Sequence, residues 1–213
     1  MLEKLVPQSD DNGALIIAPD GEPEYMRTPS VTLGSFPLHI VTDKEQARQS
    51  LLKELERVVF LFAWLPHQLS ASASQAGCRD GASSAAGILR AANAFYRSWH
   101  AVDEWENRRT GRADHFVTGA GAFATAIHHM LLAETGDGIW ELFHGTPGEW
   151  SDVSFEGLVT RTGWRVSATL SGGALTEVRA VPAHGHADPV LKLTCSFDGP
   201  ARPVDGPDWE VTA

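Results

Sequence analysis

His115-Phe-Val-Thr-Gly-Ala-Gly-Ala-Phe-Ala-Thr-Ala-Ile-His-His-Met-Leu-Leu132 reads as a helix that opens on a glycine-rich turn. Thr118 suits an N-cap, and Gly119 and Gly121 keep the first turn free of bulk, so a ligand could approach backbone there. Ala120, Phe123, Ala124, Ile127 and Leu131 recur at helical spacing and predict one apolar face, with Gly136 as the stop. Immediately beyond, Gly138-Ile-Trp-Glu-Leu-Phe143 opens a series of strand-like segments. The stretch therefore divides a helical half from a β half and predicts an α+β fold.

Upstream, Thr42-Asp-Lys-Glu45 has the form of a capping box before the stripe Ala47, Leu51, Leu55, Val58, Phe62. Leu65-Pro66 ends that helix or steps into the next. Residues 67–78 are rich in Ala and Ser, side chains small enough to let neighbouring helices come close, and Gly77 marks an end. Asp80 is a candidate cap for a helix over 82–106, whose apolar face holds Ala85, Ile88, Leu89, Ala92, Phe95, Trp99 and Val102. Short turns between such helices predict helical hairpins. Residues 1–40 carry Pro7, Pro19, Pro23, Pro29 and Pro37 with Asp-Asp-Asn-Gly at 10–13, turn chemistry that predicts an extended lead-in packed over the helices. The expected organisation is lead-in 1–40, helices 41–136 and β-domain 137–213.

In the β half the period is two. Trp164, Val166, Ala168 and Leu170 alternate with Arg165, Ser167 and Thr169, Ser171-Gly-Gly173 turns the chain, and 174–181 returns. Leu191, Leu193, Cys195 and Phe197 alternate again. This predicts a small antiparallel sheet or sandwich.

Composition sets the remaining bounds. The 213 residues carry a formal net charge of −10 and no Lys/Arg block, which argues against nucleic acid as a partner. No apolar run is long enough for a membrane span, and Met1-Leu-Glu-Lys-Leu leads into polar sequence without the pattern of a secretory signal, so cytoplasm is the default expectation. Cys78 and Cys195 are expected to be buried free thiols. His128-His129 project about 100° apart on a helix and do not suit one metal ion. His184 and His186, with Asp188 nearby, read as an exposed loop. The expectation is no metal and no cofactor.

Phe116 to Leu132, Asp137-Gly-Ile-Trp-Glu-Leu-Phe143, Thr146-Pro-Gly-Glu-Trp150 and Val153 to Val166 together resemble the C-terminal end of glycoside hydrolase family 95 and its relatives. These are six-hairpin (α/α)6-barrel glycosidases best known as inverting α-L-fucosidases. Pro147 and Trp150, then Gly157-Leu158 and Arg161-Thr-Gly-Trp164, carry the match into the β-domain, and Leu33-Gly-Ser-Phe-Pro-Leu-His39 is similar to a barrel-loop phrase. The resemblance implies helical hairpins of a partial α/α toroid followed by the β-domain. It also implies action on glycosidic bonds of oligo- or polysaccharides with inversion.

Two departures bear on activity. The family's barrel has twelve helices and this chain has room for about four, so the general acid would lie on upstream polypeptide. Where the family has Asp-Gly-Asn at the start of the last helix, this chain has Thr118, Gly119 and Ala120. An inverting hydrolase needs an acid and a base, so the isolated chain is expected to be inactive. Asp114 and His115 are the catalytic candidates by position. Trp64 and His67, which flank Pro66 at a helix junction, and Thr118 are the substrate-binding candidates. Trp99 falls on an apolar face and reads as core, and Trp105 is a further aromatic platform candidate. The expected partners are carbohydrate, with either a second copy or an upstream polypeptide covering the open helical face. The competing reading is a non-catalytic glycan- or protein-binding module.

Overall fold

A computed structural model describes residues 9–15, 32, 43–57, 65–96, 117–134, 139–183, 192–195, 203–205 and 210–212. Among these, four helices precede all eight strands: α1 (Lys44–Arg57), α2 (Leu65–Gln75), α3 (Ala85–Tyr96) and α4 (Val117–Leu131). The strands are β1 (Leu132–Glu134), β2 (Ile139–Leu142), β3 (Val153–Val159), β4 (Trp164–Ser171), β5 (Ala174–Pro182), β6 (Lys192–Cys195), β7 (Pro203–Asp205) and β8 (Glu210–Thr212). The α+β class is as expected.

The helix ends follow local chemistry, with shifts from the sequence reading. α1 is capped by Asp43, whose Oδ1 accepts the Gln46 N–H at 2.7 Å, while Glu45 turns outward to Arg48 and Gln49. The expected Thr42–Glu45 box is thus displaced by one residue, because a carboxylate one step later reaches the same amides. α2 ends in a Schellman turn: Cys78 N–H reaches Ala73 O at 2.9 Å, Gly77 N–H reaches Ser74 O at 3.0 Å, and Gly77 takes φ +70°. α3 is capped by Ser84, not Asp80, with Gly87 N–H donating to Ser84 Oγ at 3.0 Å. Its described part ends at Tyr96, so the expected extension to 106 lies outside the described residues.

α4 departs more. Thr118 falls inside its first turn and is not the N-cap. The helix stops at Leu131 instead of Gly136, because Leu132–Glu134 pair antiparallel with Trp140–Leu142 and Phe143 N–H donates to Leu131 O at 2.8 Å. Sheet pairing there satisfies the backbone that a last helical turn would have used. The buried face is also rotated: Gly119, Ala126 and Met130 are buried, while Ala120 and Ala124 are exposed.

α2 is the centre of the helical half, packed by α1, α3 and α4. Every residue from Leu65 to Ser74 is buried, which small side chains on most sides make feasible. α2 and α4 run parallel: His67 in the first turn of α2 meets Phe123 in the middle of α4, and Gly145 lies against both Ser74 and Met130 seven residues further along each helix. α1 runs opposite to α2, since Lys44 at its start contacts His144, which packs on Gly77 at the end of α2. The lead-in joins here as well, with Leu15 N–H donating to Ser50 Oγ at 3.0 Å and Lys53 paired to Asp10 at 3.0 Å.

The β half is two sheets, β1-β2-β6-β8 and β3-β4-β5-β7. The β3-β4-β5 meander is antiparallel as expected, but β6 and β8, and β7 beside β5, add parallel pairs, so both sheets are mixed. The alternation in β4 holds: Trp164, Val166, Ala168 and Leu170 are buried against Leu132, Trp140, Leu142 and Phe143. Trp140 and Trp164 meet edge to face, with centroids 6.2 Å apart at 67°. The β4–β5 turn is a two-residue type I′ loop, Gly172 and Gly173 at φ +58° and +78°, steadied by Asp152 accepting from Gly172 N–H and Ser171 Oγ–H, each at 3.1 Å.

Residues 143–147 wedge between the halves and are wholly buried. Phe143 takes φ +55°, rare for an aromatic residue, and this aims the next turn into the helices. A Cβ on Gly145 would collide with the Ser74 side chain and stand 3.0 Å from the Met130 backbone. Gly145→Ala is expected to cost about 1–3 kcal/mol by overpacking, read as a lower urea midpoint with unchanged slope.

Candidate functional site

The parallel α2/α4 pair brings the starts of two helices to one end of the helical half. His67 lies there in the first turn of α2, 2% exposed, its ring edge on to Phe123 with centroids 5.4 Å apart. Among the described residues neither ring nitrogen has a hydrogen-bond partner, and Gln68 Nε2 and Ser72 Oγ are likewise buried and unbonded. Gln68 and Ser72 stand one helical turn apart and share a face, with His67 on the adjoining one. Burial holds the His67 imidazole down to about 4, so the ring is neutral at pH 7 and carries one N–H donor and one bare nitrogen acceptor.

Leaving such groups unmet costs roughly 1–3 kcal/mol each. By contrast, the other α2 hydroxyls are satisfied locally: Ser70 Oγ–H donates to Ala85 O at 3.1 Å and Ser74 Oγ–H to Ser70 O at 3.1 Å. Among the described residues of α2, the unmet groups are therefore those of His67, Gln68 and Ser72.

Of the residues singled out in the sequence, His67 lies in the first turn of α2 and Thr118 in the first turn of α4, five residues before the Phe123 that meets His67. Trp64, Asp114, His115, Trp99, Trp105, His184, His186 and Asp188 lie outside the described residues. Cys78 is a free, buried thiol whose titration burial pushes up, and Cys195 falls in β6. Glu54, wholly buried, accepts the Thr32 N–H at 3.4 Å. Because α1 is antiparallel to α2, Glu54 sits at about the height of His67. The apolar stripe concealed it in the sequence.

Two further polar clusters lie at the opposite end. A cavity of about 180 Å³ between the last turn of α4 and the β3–β4 turn is lined by Thr125, His128, His129, Glu134, Thr160 and Arg161, among others. Glu134 is already engaged, accepting from Arg161 N–H at 2.6 Å and Thr162 Oγ–H at 2.7 Å. Burial lowers the His128 titration, with Glu134 opposing. The His128 and His129 rings stand 6.1 Å apart and tilted, and among the described residues no group of three or more His, Cys, Asp or Glu side chains could hold a metal ion.

The other cluster joins the halves. Lys44 Nζ lies 2.6 Å from Glu141 Oε1 and donates to His144 Nε2 at 3.1 Å, and Arg79 donates to Thr146 O at 3.3 Å. Burial lowers the His144 titration, Glu141 opposes, and Lys44 and Arg79 reinforce it. His144 is then a neutral acceptor, and Lys44 bridges it to the buried carboxylate. These residues clamp the helical half to the β half, which sequence spacing could not show.

Neither models of known protein families nor curated proteins match this chain.

Neutral His67 sets a pH dependence. The unfolded chain takes up the proton near the ordinary 6.5 and the folded chain only near 4. Its share of stability is complete above about 6.5 and is lost as pH falls toward 4; His128 and His144 act in the same direction. His67→Leu is expected to raise stability at pH 7 by about 1 kcal/mol, since two unmet nitrogens are removed. It should also flatten the acid side of a melting-temperature profile between pH 6.5 and 4.

Proposed function

We propose that this chain is the C-terminal part of a glycoside hydrolase-like protein that cleaves glycosidic bonds of oligo- or polysaccharides with inversion. In this reading α2 and α4 are neighbouring inner helices of an α/α ring, and their shared N-terminal end forms part of the sugar pocket. The observation that carries the reading is the parallel α2/α4 pair with unbonded His67 at that end. Successive inner helices of such a ring run parallel, each joined to the next through an outer helix, and α2, α3 and α4 follow one another in that order. A neutral imidazole with donor and acceptor both free suits a sugar hydroxyl, and Gln68 and Ser72 extend the polar row.

Hydrolysis with inversion needs two carboxyl groups roughly 6.5–9.5 Å apart across the scissile bond. Thr118 stands where the resembling family has an aspartate, so the acid and base are assigned to polypeptide beyond this chain, and the chain alone does not turn over substrate. The same Thr118 favours a second reading, a glycan-binding module without catalysis.

One assay separates them. A product spanning this chain and the coding sequence upstream is expected to hydrolyse an α-linked oligosaccharide, with the inverted anomer appearing first by proton NMR. His67→Ala in that product should lower kcat/KM at least tenfold. Retention of configuration would sink the inverting mechanism, and glycan binding without turnover would establish the module.

A further inference from the structure

The outer face of β3-β4-β5 carries a groove of about 510 Å³ that the helical site does not use. Strand register fixes its layout. Arg165 on β4 stands between Val159 on β3 and Val181 on β5, forming one row across three strands. Ser167, two residues on, stands between the Glu156–Gly157 bulge and Arg179. The two arginines are therefore diagonal neighbours on one face, about 7 Å apart at their Cβ atoms.

Three features distinguish this face from an ordinary solvated one. Arg165 and Arg179 form no ion pair among the described residues, although Glu156 lines the same groove. Val159 and Val181 are 45% and 36% exposed, two of the three large apolar side chains that the described residues leave open. The bulge places Gly157 at φ +71°, a backbone conformation that favours glycine, with the Arg165 stem in ordinary contact distance beside it. Gly157 N–H donates to Ser167 Oγ at 3.0 Å, which leaves the serine's own proton free to point outward.

We infer that this groove binds a carboxylate-bearing sugar, of the uronic acid class, on the β-domain. Two guanidiniums and the Ser167 hydroxyl offer donors to a carboxylate, a pairing in which charged hydrogen bonds are strongest. Glu156 supplies an acceptor for a ring hydroxyl, and the valines flanking Arg165 meet the apolar face of the ring. On a chain of net charge −10, attraction of an anion has to come from such a local cluster. The carboxylate assignment rests on the groove, while the sugar assignment also rests on the carbohydrate reading above.

The test is an amide NMR titration of the whole chain with a trigalacturonide, the corresponding neutral trisaccharide and citrate. The trigalacturonide is expected to shift Gly157, Arg165, Ser167 and Arg179 saturably below 10 mM, on the order of the affinity of a shallow site. An Arg165→Gln/Arg179→Gln variant, exposed at both positions, should fold with the same amide spectrum elsewhere and bind at least tenfold more weakly. No saturable shift, or equal affinity in the double variant, overturns the proposal. Equal binding of the neutral trisaccharide overturns the carboxylate assignment, and equal binding of citrate overturns the sugar assignment. The anomeric assay on the longer product reads the helical site independently, so failure of one proposal leaves the other standing.

Discussion

The complete burial of α2 is the constraint on which the rest of the structure depends. A helix hidden on every side must satisfy its own backbone and leave room for neighbours, and Leu65 to Ser74 does both. Its Ala and Ser side chains let α1, α3 and α4 close round it, and its Schellman turn delivers Gly77 against His144. Because α2 is surrounded, a polar group it carries is costly unless it finds a hydrogen-bond partner. Ser70 and Ser74 are met by backbone, whereas His67 and Gln68 near its start, and Ser72 a turn further on, are not. Unmet and met polarity separate along one helix, with most of the unmet groups at its start and the packing contacts toward its end.

The β half is anchored at the packing end. Residues 143–147 fill the space between α2, α4 and the sheets, and the Lys44, Glu141 and His144 cluster closes over them. A buried carboxylate is costly unless paired, so Lys44 is as much a requirement of Glu141 as a contribution to the interface. The Arg90–Glu149 pair at 2.9 Å adds a surface link of small worth beside it. Among the described residues this arrangement leaves the helix starts away from the sheets and the outer face of β3-β4-β5 uncovered, so the two proposed sugar-contacting surfaces do not compete for the same packing.

Much of this was legible in the sequence because periodicity reports burial. The alternation from Trp164 to Leu170 gave the buried face of β4, and Ser171-Gly-Gly173 gave the hairpin. The Ala/Ser stretch gave α2 as a closely packed helix. What was not legible depended on partners remote in sequence. Leu132–Glu134 continues a helical pattern and becomes a strand only because Trp140–Leu142 lies beside it. The caps moved from Thr42 to Asp43 and from Asp80 to Ser84 because several residues in each stretch have capping side chains. His67 was visible as a candidate from its place beside Pro66, but its unbonded state appears only with all its neighbours in position. Arg165 and Arg179 looked like any outward strand residues until register set them side by side.

The strand order of the first sheet bears on how the chain reaches this state. β1 and β2 pair locally, but β2 then waits for β6 and β6 for β8, so Trp140 and Leu142 lack a completed sheet until the farthest strands arrive. Closing such long loops is slow relative to forming helices. By sequence separation the β3-β4-β5 meander is the local unit, whereas the β1-β2-β6-β8 sheet and the α2–α4 contact both rest on remote pairings. During that interval the edge of β2 is an open template for another chain. In the folded chain β6 covers that edge and β8 in turn covers β6, both in parallel register.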